Sequence, residues 1–393
     1  MTRKILVFLG EEFIEHNNTF FSTQTPANFI KYAFEGWKIT FVSPSRKCKD
    51  PPKGWNVKLR RNEFESVGRF SSIVEFASNN LSSPGSYKNN QDLWNKIINK
   101  AKPDIVWVRN PSLPCLMFSQ FCISKNPNIP IINHMCANTF EAWRNPKYGI
   151  TMSILGFFIS RVMLRLCLKI VRNPSTYNLC TGNELEELCL KKSNSVSQFI
   201  DITLTPSKKI IRNSKKMKKI IFVGRMQKDK GILELIESVE SIKSEGYQIE
   251  LEIIGDGDSN DIVQDKSKII REINYLGRIP NNEVPIHLQK SDLLVVPSIN
   301  LYEGFPRVIL EAWNCGLPVL VSDVGGVKGL VKHLVNGYIY DPFKPNMLKK
   351  SLIEIIRKPE VYEALSKGAI RMSKISNRNY WIKVVHDAVK QIS

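Results

Sequence analysis

Short apolar runs, each closed by a glycine or a polar residue, recur along this chain and limit its fold more tightly than any other feature. KILVFL at 4–9 ends at Gly10, and GWKITFVSP (36–44), PDIVWVRNP (103–111) and NIPIINHM (128–135) follow, with a helical pattern over roughly 25–35 between the first two. Runs without polar alternation suit parallel strands covered on both faces. A polar, lysine-rich stretch follows, and then the same grammar restarts: IIFVGR (220–225), IELEIIGDGD (249–258), INYLGR (273–278), DLLVVPS (292–298) and LPVLVSD (317–323). Strands alternating with helical patterns predict two doubly wound α/β domains, and 393 residues exceed what one core usually holds. The reading is 1–205 for the first domain, 206–370 for the second, and 371–393 as a terminal helix packing back on the first. Segment 45–90 has no clear pattern, and its polar, Ser/Asn-rich parts, such as 78–91, read as an exposed connection.

Composition narrows the partners. Lysine and arginine number 56 against 37 acidic residues, a net charge of +19. That excess favours an anionic partner: nucleic acid, anionic lipid or a phosphorylated small molecule. The eight cysteines (Cys48, Cys115, Cys122, Cys136, Cys167, Cys180, Cys189, Cys315) form no CxxC, and several lie in apolar runs. They read as buried thiols, not as disulfides or a zinc site, in a reducing, cytosolic setting. The opening MTRKILVFLGEEF lacks a cleavage site and reads as a first strand, not a signal peptide. ITMSILGFFISRVMLRLCLKIVRN (150–173) is a helix whose Arg161, Arg165, Lys169 and Arg172 share one face. It fits either an ordinary sheet-covering helix or one lying on an anionic membrane surface with its apolar residues turned inward.

Three stretches of the second half carry chemistry. GRMQKDKG (224–231) follows a strand; Gly224 permits a tight turn, and Arg225 and Lys230 suit phosphate oxygens. EGFPRVILE places Glu303 in a loop and Glu311 inside a helix opened by Pro306, eight residues apart, both aimed at one crevice. A carboxylate of this kind can clamp adjacent ribose hydroxyls. Gly325 and Gly326 let the backbone approach a ligand, and VKGLVKHL behind them reads as a helix start. Neither a full GxGxxG nor a P-loop is present, which disfavours nicotinamide, flavin and P-loop chemistry.

Read in order, VGRMQKDKG, LEIIGDGD, YLGRIPNNEV, SDLLVVPS, EGFPRVILEAWNCGLPVLVSDVGG and NGYIYDP resemble glycosyltransferase family 4, retaining enzymes of two-domain GT-B architecture. The resemblance covers nearly all of the C-terminal half and is loose in the first. It implies that two Rossmann-like domains face across a cleft, and that a sugar moves from a nucleoside diphosphate sugar to a saccharide or lipid-linked acceptor. Surface polysaccharide or lipooligosaccharide assembly is the implied setting, in the cytoplasm and peripheral to the inner face of the membrane. It implies that Arg225 and Lys230 hold the donor diphosphate, Glu311 the ribose and Glu303 the donor sugar, with Gly224, Gly304 and Phe305 part of the donor site. Gly10 and His134 would approach from the first domain, and Arg278 and Ile279 would line the base. No divalent metal and no nucleic acid are implied, and Asp256 with Asp258 reads as a turn instead of a DxD metal motif. One departure stands out: Gly329 occupies the place of a glutamate that commonly follows the paired glycines. A sugar-nucleotide epimerase and an inactive protein of the same fold are the competing readings.

Overall fold

The computed structural model describes residues 2–22, 26–49, 57–67, 84–144, 149–206, 217–301 and 303–393. The chain forms two compact units, Met1–Thr203 with Trp381–Ser393, and Leu204–Tyr380. The divisions fall at 203/204 and 380/381, where the sequence suggested 205/206 and 370/371. Residues 50–56 and 68–83 of segment 45–90, and 207–216 of the lysine-rich stretch, lie outside the described residues.

Eleven described strands belong to the first unit: β1 (Lys4–Phe8), β2 (Phe13–His16), β3 (Thr19–Ser22), β4 (Lys38–Ser43), β5 (Ser45–Lys47), β6 (Val57–Arg60), β7 (Phe64–Ser66), β8 (Ile105–Asn110), β9 (Ile131–Met135), β10 (Thr176–Cys180) and β11 (Val196–Gln198). Seven of them make a parallel sheet in the order β11-β10-β9-β8-β1-β4-β7. Ile5, Leu6, Val7 and Phe8 are fully buried, as expected of a central strand covered on both faces. Asparagines cross-link its interior: Asn110 Nδ2 donates to Asn133 Oδ1 and Asn133 Nδ2 to Asn178 Oδ1, each at 2.8 Å.

The strands β5-β2-β3-β6 form a second sheet that the sequence reading did not foresee. Its hairpin turns on Asn17 and Asn18, both left-handed (φ 47° and 56°), a conformation asparagine tolerates and tight hairpins require. Phe20 stacks on Phe64 at 4.1 Å, which fastens this small sheet to the edge of the large one. At the other end of the sequence, Trp381 packs edge-on to Phe199 at 6.2 Å, and His386 Nε2 lies 2.6 Å from the Ala33 carbonyl oxygen.

The second unit contains β12 (Lys219–Val223), β13 (Glu250–Ile254), β14 (Ile273–Gly277), β15 (Leu293–Val296), β16 (Val319–Ser322) and β17 (Tyr338–Tyr340), all parallel, in the order β14-β13-β12-β15-β16-β17. The helix Ile232–Ser244 covers it with Ile232, Leu235, Ile236, Val239 and Ile242, the spacing of a single helical face. Chain progression reverses between β12 and β15. At such a switch point the loops leaving adjacent strands diverge and open a crevice at the carboxyl ends.

One expectation fails here. The stretch after Gly325 and Gly326 makes only a 3-10 turn, Val327–Gly329, and no α-helix. Gly329 weakens helix continuation, and Asn336 takes over the local hydrogen bonds, accepting from Lys332 N–H at 2.7 Å and donating to the Leu330 carbonyl at 2.9 Å. Six of the eight thiols are buried, Cys136 is partly so and Cys48 is exposed. Among the described residues no helix is long and apolar enough to cross a membrane.

Candidate functional site

The crevice between β12 and β15 is assembled from three loops, each leaving an apolar strand. The first, 224–231, ends in a 3-10 turn at Lys228–Lys230 and passes through Gly231 in the left-handed region (φ 69°). A Cβ there would run into the carbonyl oxygen of Pro297, so only glycine lets this loop lie against the loop after β15. Gly224, expected to supply the tight turn, does not occupy a positive φ. The loop's closeness to its neighbour resides at Gly231.

The two loops are tied together at Asp229. Its carbonyl accepts from Ile299 N–H at 2.9 Å and from Ser298 Oγ at 3.2 Å, and its carboxylate accepts from Asn300 Nδ2 at 3.0 Å. This bracing sets the central contact. Lys230 Nζ lies 2.6 Å from Glu303 Oε1, and Ser298 Oγ donates to Glu303 Oε2 at 3.0 Å. The side chains of Lys230 and Glu303 are 13% and 24% exposed, so water screens the pair less than it does a surface salt bridge. The third loop fixes the backbone beneath it: Gly326 N–H donates to the carbonyls of Glu303 (3.0 Å) and Gly304 (2.8 Å).

Around this pair lies a cavity of about 200 Å³, lined by Gly224, Arg225, Lys230, Ser298, Glu303 and Arg307 among others. Arg225 is exposed at its mouth and makes no ion pair among the described residues. The arrangement offers an anion one available guanidinium and one ammonium already oriented by a carboxylate. A larger hollow of about 350 Å³ sits at the amino ends of β12 and β13, lined by residues such as Met217, Gln248 and Tyr362, and carries no carboxylate.

The predicted site residues divide into groups. Arg225, Lys230, Gly224 and Glu303 meet in one cavity, with Gly304 held by the third loop. Phe305 is buried beside Trp313, ring centres 6.2 Å apart. Glu311, on the helix Arg307–Asn314, does not line that cavity although it was expected to share the crevice. Its surroundings desolvate the carboxyl and push its pKa above the usual carboxylate range, with Arg307 pulling the other way. Arg278 and Ile279 follow β14; Arg278 is exposed, its Nη1 3.8 Å from Asp256 Oδ2. Gly10 and His134 belong to the first unit. Gly10 follows β1 with a left-handed backbone (φ 72°). His134 lies within β9, one residue before its end, 1% exposed and packed edge-on by Trp107 and Phe199. Asp229, Ser298, Asn300 and Arg307 escaped the sequence reading. Arg307 at four residues before Glu311 was the available signal. Among the described residues no group of three or more His, Cys, Asp or Glu is placed to hold a metal ion.

A parallel six-stranded sheet with a pocket lined by Arg225, Lys230 and Glu303 at its switch point defines an α/β nucleotide-binding-type fold, accompanied in this chain by another doubly wound unit. Residues 205–372 match the family described as Glycosyl transferases group 1. The Anabaena protein HepE, solved in complex with UDP, superposes with a TM-score of 0.64 over 98% of this chain and 99% of that one, at 14% identity. The putative teichuronic acid biosynthesis glycosyltransferase TuaC of Bacillus subtilis is 34% identical over 150 residues, 37% of this chain and 36% of that protein. An Escherichia coli UDP-Gal:alpha-D-GlcNAc-diphosphoundecaprenol alpha-1,3-galactosyltransferase is 25% identical over 268 residues, 63% of this chain and 64% of that protein. The alignments thus span about a third to two thirds of these curated relatives. The chain has the GT-B fold, and its residues 205–372, less than half of its length, match the group 1 glycosyl transferases.

Proposed function

We propose that this protein is a retaining glycosyltransferase that moves a sugar from a nucleoside diphosphate sugar to a saccharide or lipid-linked acceptor in cell-surface polysaccharide assembly. The observation that carries the reading is the Lys230–Glu303 pair at the switch point of the second sheet, with exposed Arg225 lining the same cavity. In this reading the bond from the anomeric carbon to the β-phosphate oxygen breaks, negative charge gathers on the diphosphate, and Arg225 and Lys230 stabilise it. The acceptor oxygen bonds to the anomeric carbon on the face the diphosphate leaves, and the hydroxyl proton passes to the departing phosphate. Glu303 orients Lys230 before the donor arrives and faces the sugar afterwards, while Glu311, outside that cavity, is assigned to the ribose by its motif position alone. The two cations meet the developing charge without a divalent metal. The names of relatives, one in teichuronic acid biosynthesis and one acting on a diphosphoundecaprenol-linked sugar, support the setting.

Calorimetry with uridine and guanosine diphosphate sugars tests the donor site. Turnover assays with Arg225→Ala test the mechanism: losing one preorganised donor to the transition state lowers kcat by about a hundredfold. The anomeric configuration of the product, read by NMR, tests retention, and unchanged rates in EDTA test the metal-free step. Unaltered donor affinity and turnover in Arg225→Ala and Lys230→Ala together sink the assignment.

A further inference from the structure

The helix Ile150–Val171 contains no acidic residue, and its exposed side changes chemistry along its length. At 100° per residue, the buried positions Ser160, Met163, Cys167, Ile170 and Val171 fall together on one side. On the opposite side, the first three turns expose Ile154 (55%), Leu155 (49%) and Phe158 (63%); Ile150 (82%) lies at the flank, and Met152 (53%) is exposed on the other side, so the first turn is open all round. Val162 continues the apolar strip, and Arg161, Arg165 and Lys169 occupy the same side over the turns that follow. The sequence suggested basic groups outside and apolar groups turned inward. That holds only for the second half. In the first half the apolar groups face outward.

This strip is rigidly presented. Gly156 gives the helix room against Trp143, whose ring meets Phe157 edge-on at 5.2 Å, so the apolar half is packed from behind. From Ile150 to Val162 the strip runs about 18 Å at 1.5 Å per residue. An exposed apolar surface of this kind marks an interaction site. The adjoining basic side chains, on a helix without carboxylates in a chain of charge +19, select an anionic partner. Nucleic acid satisfies the basic half alone. A bilayer with anionic headgroups satisfies both halves, since its acyl region takes the apolar side chains and its phosphates the cations.

We infer that this helix seats the protein on an anionic phospholipid bilayer, its first half immersed beneath the headgroups and its second half gripping them. The inference is independent of the donor chemistry proposed above and goes beyond it.

Flotation of the full chain with phosphatidylcholine vesicles, with and without phosphatidylglycerol, tests it. The protein floats with the anionic vesicles and stays behind with the neutral ones. Ile154→Ser with Phe158→Ser weakens partitioning about a hundredfold, because two side chains lose apolar burial, about tenfold each. Arg165→Gln with Lys169→Gln weakens it about 25-fold, roughly fivefold per cation. These side chains are exposed, so the variants retain the wild-type circular dichroism and nucleoside diphosphate binding. Phe158→Trp reports immersion directly: its added fluorescence is quenched by lipids brominated on their acyl chains. Flotation unchanged in both double variants overturns the inference. So does flotation without quenching, which means adsorption by charge alone, or a dimer that dissociates on Phe158→Ser and never binds vesicles, which assigns the strip to a second copy.

Discussion

Glu303 holds two contacts of different kinds, an ion pair to Lys230 and a hydrogen bond from Ser298, and substitution can separate them. Glu303→Gln keeps an acceptor for Ser298 but removes the charge that orients Lys230. Lys230 remains able to bind diphosphate, so donor affinity by calorimetry changes less than threefold while kcat falls about tenfold to a hundredfold. Equal losses in both quantities would place Glu303 in ground-state binding instead. Glu311 poses a different test. Its pKa is raised by desolvation, so the folded protein holds this proton at a pH where the unfolded chain has released it. The native state then binds more protons, and this group's contribution to stability falls as pH rises from the ordinary carboxylate range through the raised value. Glu311→Gln therefore raises the melting temperature at pH 7, and the gain fades as pH drops toward 4; an equal gain at both values rules out the ionisation as its source. Arg225, Lys230 and Glu303 were legible because they stand in loops that leave apolar strands, where a polar residue has few structural uses. Asp229, Ser298 and Asn300 were not legible, since their role is to tie one loop to another across about 70 residues of chain.

Elements were readable wherever burial on both faces erased polar alternation, as in β1, β8, β12 and β15. The small sheet β5-β2-β3-β6 was hidden because its strands are three or four residues long and pair across intervening elements. The adjacent asparagines at 17 and 18 were its one local sign. The false helix after Gly326 arose from apolar spacing that serves a turn held by Asn336. Within the first sheet, the asparagines of β8, β9 and β10 form a chain that apolar pattern alone would not suggest. Asn133 stands at its middle, fully buried, donating to one neighbour and accepting from the other. Asn133→Ala leaves Asn178 Oδ1 and one Asn110 donor contact unpaired in the interior. A buried polar group without its partner costs about 1–3 kcal/mol, and the small cavity adds to that. Urea denaturation of the variant should show a loss of about 3 kcal/mol; a loss under 1 kcal/mol means water or a rotamer change repairs the network.

At the scale of the molecule, the two doubly wound sheets share a topology but differ at their switch points. The first places Gly10, after β1, near the crevice beside β8. The second concentrates Arg225, Lys230 and Glu303 between β12 and β15. Two sheets of one topology were foreseeable from the repeated apolar runs, whereas their chemical difference rests on a handful of loop residues. A ligand bound to the second site stabilises the elements that hold it by mass action, about 2.7 kcal/mol at a hundredfold excess over Kd. The loops 224–231 and 298–304 and the Gly325–Gly326 turn are linked by backbone hydrogen bonds, so that stabilisation is shared among their amides. Hydrogen exchange measured with and without uridine diphosphate should therefore slow about a hundredfold in those three loops, and the central strands β12 and β15 should follow. Strand β6 (Val57–Arg60) of the small sheet should exchange at an unchanged rate. Protection centred on the amino ends of β12 and β13 instead, at the larger hollow near Met217 and Tyr362, would move the nucleotide away from the paired lysine and glutamate and remove the basis for assigning them to the donor.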